Sequence, residues 1–261
     1  MIYIKTREQI EILREAGKIS REILDCALGM CKPGISTGEI DAEIEIQIEK
    51  AGAIPWFKEV DNYPNASCIS INNVWLHGIP GDYILKVGDV VSIDLGVKYS
   101  NMYVDNCWTI VVQEEHRECK DLRSCFFHKD KEITDFLKVG VSALESSIEK
   151  FIHGNRVGDI SSQMQKIVED KGYSVIDGFG GHGVGVKQHE DPHVPCTGTS
   201  GTGSKLKKGM VLAIEIMHAM GAGSYEIDKD GWSVLTGDGK VSGMFEHTVA
   251  LTENGPEILT S

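Results

Sequence analysis

Nowhere does this sequence hold a run of apolar residues approaching the roughly 20 that a membrane-spanning helix requires. The uninterrupted apolar core of a secretion signal is also missing, because Lys5, Arg7, Glu8, Glu11 and Arg14 break up the first residues. Positive charge is scarce: 26 Lys and Arg face 39 Asp and Glu, a net charge of −13, and such a surface repels phosphate backbones. DNA and membranes are therefore poor partners, and a cytoplasmic location is expected. A disulfide framework is lacking as well. The seven cysteines are odd in number and form no C-x-x-C pair, so most read as small buried hydrophobes kept reduced.

What is present is ordinary for a globular chain of 261 residues, with 41% hydrophobic and 25% charged residues. Thr6 with Gln9, and Ser36 with Glu39, are capping-box pairs that open helices. The first carries Ile10, Leu13, Ala16, Ile19, Ile23 and Ala27 on one face and stops at Lys32-Pro33-Gly34; the second carries Ile40, Ile44 and Ile48 and ends at Ala51-Gly52. Two further helices are expected from Thr134 to about Phe151 and from Asp159 to about Lys171. Gly34, Gly38, Glu39-Ile40, Glu49 and Gly52 recur 120 residues later as Gly154, Gly158, Asp159-Ile160, Glu169 and Gly172, which points to an internal duplication. Each helix pair is followed by strands: Val90 to Lys98 and Met102 to Val112 in the first half, Met210 to Met217 and Met244 to Thr252 in the second. The expectation is one α+β domain over residues 1–261, with half-repeats at about 6–112 and 134–252, antiparallel strands inside and helices outside. The charged stretch from Glu114 to Lys131 is read as the connection.

The chemistry lies in misplaced charges. A hairpin turning at Tyr99-Ser100 would set Asp94 directly opposite Asp105, where two carboxylates repel unless a proton or cation intervenes. One such Asp alone more often points to solvent. The second half repeats the oddity, with Glu215 inside Val211 to Met217 and Glu246 inside Met244 to Val249. Four carboxylates among apolar strand residues, with few Lys or Arg nearby, call for a bound metal. The segment Gly178 to Gly183 contains G-x-G-x-x-G, but Gly185, Pro192 and Pro195 interrupt the residues after it, so no helix opens there for a dinucleotide. The loop instead offers His182 to a metal. His189 and His77, the latter at a strand end before Gly78, are weaker candidates for the same site.

Taken together, Ile79-Pro80 after His77, Ser92-Ile93-Asp94, Asp105, Gly181-His182-Gly183-Val184-Gly185, His189-Glu190-Asp191-Pro192, Ile214-Glu215 and Glu246-His247-Thr248 resemble the type I methionine aminopeptidases, in order along nearly the whole chain. The resemblance implies the pita-bread fold and two divalent metal ions (Co, Mn, Fe or Zn). It implies that Asp94 binds one ion, that Asp105 and Glu246 bridge both, and that His182 and Glu215 complete the other. A water activated between two such cations supplies hydroxide near neutral pH, and the cations polarise the scissile carbonyl. Glu215 would accept a proton, while His189 and His77 would hydrogen-bond the substrate's peptide group. The implied substrates are N-termini of peptides and nascent proteins, met by a monomer that works near the ribosome.

The resemblance puts the methionine pocket at Phe57, Val60, Tyr63, Cys68, Gln188 and Trp232. Here Phe57 is bulkier than the family's usual Cys, Val60 replaces an aromatic and Gln188 replaces Phe; an amide facing a thioether is costly unless bonded elsewhere. Ile216 stands where the family commonly has Pro. Aminopeptidase P and prolidase relatives share the fold but carry an added N-terminal domain, for which residues 1–32 leave no room. A non-catalytic binding protein on this fold would be expected to have lost ligands, and all five are present.

Overall fold

The computed structural model describes residues 1–60, 62–114 and 122–261. Helix α1 (Arg7–Met30) opens on the Thr6/Gln9 box and α2 (Thr37–Lys50) on the Ser36/Glu39 box, each with both reciprocal hydrogen bonds in place. The face of α1 that carries Leu13, Ala16, Leu24, Ala27 and Leu28 is fully buried against the strands, each buried Leu contributing about 1.5–3 kcal/mol. Helices α3 (Lys131–Ile148) and α4 (Val157–Glu169) begin and end two or three residues earlier than their apolar periodicity suggests. Their starts are set by Asp130, whose carboxylate accepts from Glu132 N–H, and by Asp159, whose carboxylate reaches back to Arg156 N–H.

The strands are β1 (Ile54–Pro55), β2 (Ser67–Ile71), β3 (Val74–Leu76), β4 (Val90–Tyr99), β5 (Met102–Val111), β6 (Ser174–Val175), β7 (Gly180–Gly183), β8 (Glu190–Pro195), β9 (Val211–Ala219), β10 (Tyr225–Ile227), β11 (Val234–Thr236), β12 (Ser242–Thr252) and β13 (Gly255–Ile258). Ten form one antiparallel sheet with the path β1-β4-β5-β12-β9-β7-β8, with β2, β6 and β13 paired at its margins; β10, β11 and β3 form a second, small sheet. Helix α1 packs on β4 and β5, and α3 on β9 and β12, so each half of the sheet has its own helical cover. The expected α+β architecture holds. Among the described residues no helix is long and apolar enough to cross a membrane.

The hairpin register differs from the expected one. Tyr99 pairs with Met102, and Ser100 and Asn101 take the two left-handed central positions (φ 48° and 59°) of a tight two-residue turn. This shifts the pairing by two, so Asp94 faces Cys107 and Asp105 faces Gly96. Both acids still project from the same face of the sheet, diagonally rather than opposite.

The two halves reproduce one another's backbone bonding. Gly34 N–H donates to Leu85 and Gly154 N–H to Leu206; Thr37 N–H donates to Tyr83 and Val157 N–H to Ser204; Leu85 N–H donates to Ile35 and Leu206 N–H to Asn155. Gly34 and Gly154 share a left-handed conformation (φ 92° and 100°) at the same point before a helix. The halves meet where β5 lies beside β12, with Glu246 opposite Cys107 and His247 opposite Asn106. Beyond those pairs, threonine hydroxyls carry the junction. Thr248 Oγ1 donates to Asp105 O (2.8 Å) and accepts from Asp105 N–H (2.9 Å), while Thr109 Oγ1 donates to Met244 O (2.6 Å) and accepts from Met244 N–H (2.9 Å).

Of the cysteines, Cys31, Cys68, Cys107 and Cys196 are buried free thiols and Cys26 is exposed. Cys125 departs from the expectation of reduced thiols, being disulfide-bonded. Of the expected connection between the halves, residues 115–121 lie outside the described residues.

Candidate metal centre

Directly opposed residues of neighbouring antiparallel strands project to the same face, so register alone lays out the site. One row crosses five strands as Cys68, Asp94, Cys107, Glu246 and Glu215. The next row, two residues along, runs Gly96, Asp105, Thr248, Ala213 and His182. All four acids and His182 therefore converge, with small residues at Gly96 and Ala213 between them. Gly96 has no space for a side chain, since a Cβ would collide with the indole nitrogen of Trp56. Asp105, His182 and Glu246 offer ligand atoms within 4.8 Å of one another, and His182 Nε2 is 3.8 Å from Asp105 Oδ2.

The electrostatics are those of a site waiting for positive charge. Burial, then the charges of neighbouring acids, pushes Asp94, Asp105 and Glu246 well above the ordinary carboxylate range, and burial pushes Glu215 up to about 7. Burial pulls His182 down to about 3 and His77 to about 4, with the charge of His189 adding to both, so these rings are neutral at pH 7. Asp94 Oδ1 is buried without a hydrogen-bond partner, and no Lys or Arg lines the surrounding cavity among the described residues. An orphaned carboxylate oxygen in an oxygen-rich set of donors with one imidazole fits a divalent cation.

The acids form the inner wall of a cavity of about 300 Å³. Phe57, Val60, Tyr63, Cys68 and Trp232 line its apolar part, where Tyr63 meets Phe57 and Trp232 edge to face at 6.3 and 5.1 Å. His77 and His189 also line it, the His189 ring 4.3 Å from that of His182 and 5.6 Å from Trp56. His77 is held in the left-handed region (φ 57°), a strained conformation for a non-glycine residue at the edge of a site. Gln188 is the exception among the expected pocket residues. It does not line the cavity; its amide turns away to donate to Trp56 O (3.4 Å) and Glu59 Oε2 (3.2 Å). Sequence reasoning missed Trp56, Met217 and Met244. The two methionines stand two residues from Glu215 and Glu246, so strand alternation alone would have placed them on the same face.

The family model described as metallopeptidase family M24 matches residues 11–253. A methionine aminopeptidase of Clostridium perfringens is 43% identical over 260 residues, covering 100% of this chain and 99% of the relative. Methionine aminopeptidase 1 of Bacillus subtilis is 40% identical over 260 residues, with coverage of 100% and 99%. Among solved structures, a methionine aminopeptidase from Thermotoga maritima superposes with a TM-score of 0.93 at 37% identity, each chain covered in full. A prolidase from Pyrococcus furiosus reaches 0.76 at 25% identity, with 99% of this chain and 65% of the prolidase covered. Because the match runs through both halves of the fold and not only through the acid-bearing strands, the chain belongs to metallopeptidase family M24.

Proposed function

We propose that this protein is a metal-dependent aminopeptidase that releases methionine from the N-termini of peptides and nascent proteins. The observation that carries the reading is the junction of a four-acid cluster with an apolar cavity walled by aromatic side chains. Asp94 would hold one divalent ion, Asp105 and Glu246 both ions, and His182 and Glu215 the other, with Co, Mn, Fe and Zn as candidates. Bound there, the cations supply a hydroxide nucleophile near neutral pH and polarise the scissile carbonyl.

The remaining work falls to side chains. The apolar wall of Phe57, Val60, Tyr63, Cys68 and Trp232 takes the thioether side chain. The substrate's free amino terminus would lie on the Asp94 side of the site, its amine unprotonated beside the ion that Asp94 would hold. His77 and His189, neutral near pH 7, each keep one N–H with which to bond the peptide group as it becomes tetrahedral. Glu215 accepts the proton released in attack and returns it to the leaving amine. Methionine aminopeptidases among the relatives support this assignment. The chain is taken as one catalytic domain built of two half-repeats, working as a monomer in the cytoplasm on chains emerging from the ribosome. Hydrolysis of Met-Ala-Ser after loading with Mn, Fe or Co tests the activity: release of methionine is expected. No turnover with any of the three metals refutes it, and cleavage of Xaa-Pro but not Met-Ala transfers the assignment to a prolidase-like enzyme.

A further inference from the structure

The amino-terminal arm contributes no atom to the cavity, yet it holds the segment that does. Lys5 Nζ lies 2.5 Å from Glu190 Oε2, and the two side chains are 1% and 0% exposed. The other carboxylate oxygen, Glu190 Oε1, accepts from Val186 N–H (2.6 Å) and Lys187 N–H (2.9 Å). Glu190 thus closes the loop of residues 184–189 on itself, and His189 is the last residue of that loop. Lys5 is itself anchored, because its N–H donates to Gly209 O at 2.7 Å, directly ahead of β9. The fit is close on the loop side too: a Cβ on Gly185 would lie 2.6 Å from Lys5 Cε, and Gly185 O accepts from Tyr103 N–H of β5. Ile2 bridges Asp191, and the Met1 ammonium group pairs with the Asp191 carboxylate, extending the same contact to the end of the chain.

We propose that Lys5 is a positioning residue, whose buried ion pair with Glu190 fixes the loop that presents His189 to the substrate. The inference rests on the reading of His189 as a substrate-binding residue. Among the described residues, no other cation meets Glu190. Without the Lys5 ammonium group the Glu190 carboxylate is a buried charge with no counter-charge; it moves toward water, which loosens its hold on the N–H groups of Val186 and Lys187. The His189 ring then loses its fixed place beside His182 and Trp56, while the acids on β4, β5, β9 and β12 stay where their own strands hold them.

The test uses the full-length, metal-loaded protein and Met-Ala-Ser, with Lys5→Met and Glu190→Gln made alone and combined with His189→Ala. Each single substitution is expected to lower kcat by about tenfold to a hundredfold, the usual range for residues that orient a working group, with unchanged metal content and KM within about threefold. In the His189→Ala background the same substitutions should change kcat by less than about twofold, since groups that act as a unit are not additive. A full further loss in that background, or a lowered Tm with wild-type kcat, overturns the inference and leaves the ion pair a structural one. The two readings fail differently: His189→Ala with wild-type kcat sinks the role of His189 itself, whereas an impaired His189→Ala beside a normal Lys5→Met sinks only the positioning by Lys5. Should Lys5→Met not fold, Glu190→Gln, which keeps an acceptor oxygen for Val186 and Lys187, decides through its own cycle with His189→Ala.

Discussion

Stripped of metal with a chelator, this protein should lose stability as the pH is raised from about 7 to about 8.5. A carboxyl whose pKa is raised on folding stabilises the fold below its unfolded value, and that contribution disappears as the pH climbs through its folded value. Glu215 moves from 4.5 to about 7, and Asp94, Asp105 and Glu246 move well above their ordinary range, so the folded chain holds protons in this window that the unfolded chain has released. Histidines work the other way, but lower down. Burial takes His182 and His247 to about 3 and His77 and His218 to about 4, so each adds stability as pH rises toward 6.5 and nothing beyond it. Above pH 7 the acids are joined, as the pH nears 8.5, by Cys31, Cys68, Cys107 and Cys196, whose thiols burial pushes up so that the folded chain keeps their protons. Each proton held only by the folded chain at a given pH steepens that loss by about 1.4 kcal/mol per pH unit. For a domain of this size each kcal/mol lost lowers Tm by about 2–4 °C, readable by calorimetry or circular dichroism. Manganese at a fixed concentration, a hundredfold above its Kd at pH 7, should return about 2.7 kcal/mol there and more at the higher pH, where protons no longer compete. A Tm for the metal-free protein that is flat or rising from about pH 7 to about 8.5, or a metal gain that shrinks with pH, would refute the reasoning.

Asp105→Asn should yield folded protein whose bound metal and Met-Ala-Ser turnover both fall, turnover by more than about a hundredfold, as elemental analysis and kinetics will show; wild-type metal content would show that Asp105 is not a ligand. Gly96→Ala drives a methyl group into Trp56 and Phe57 and should destabilise the fold by about 1–3 kcal/mol in urea titration, with no change expected if the indole can move aside. Gln188→Phe should leave the preference for methionine over other first residues within about twofold, because the amide faces Trp56 O and Glu59 rather than the cavity. A marked gain in methionine selectivity in an Xaa-Ala-Ser series would mean that position 188 does reach the substrate.

Local chemical signals were the most legible part of the sequence. The capping boxes at Thr6 and Ser36 place two helix starts to the residue, whereas Asp130 and Arg156 begin helices without that signature and shift them by two or three positions. Charged residues in apolar strands point to the acid cluster because nothing but a cation or a proton makes burial of Asp105, Glu215 and Glu246 tolerable. Hairpin register was harder. It depends on which two residues accept left-handed backbone, and Ser100-Asn101 differs from Tyr99-Ser100 only by the tolerance of Asn for that region. Strands such as β10, exposed at every residue, leave no alternation to read. Contacts between distant segments, Lys5 with Glu190 and Thr248 with Asp105, carry no periodicity at all, and only the folded chain brings them together.

The row of side chains that crosses from β4 to β9 has a meaning for the chain as a whole. Asp94 and Asp105 come from the first half, and His182, Glu215 and Glu246 from the second, so neither half contains a centre; the centre is the seam. At that seam only two residue pairs keep strand register between β5 and β12, flanked by two threonine hydroxyls. On the proposed function, a cation held by Asp105 and Glu246 would therefore also be a rivet between the halves. Loss of that metal would then slacken the joint along with the chemistry, and amide exchange along β5 and β12 is where that slack would be seen.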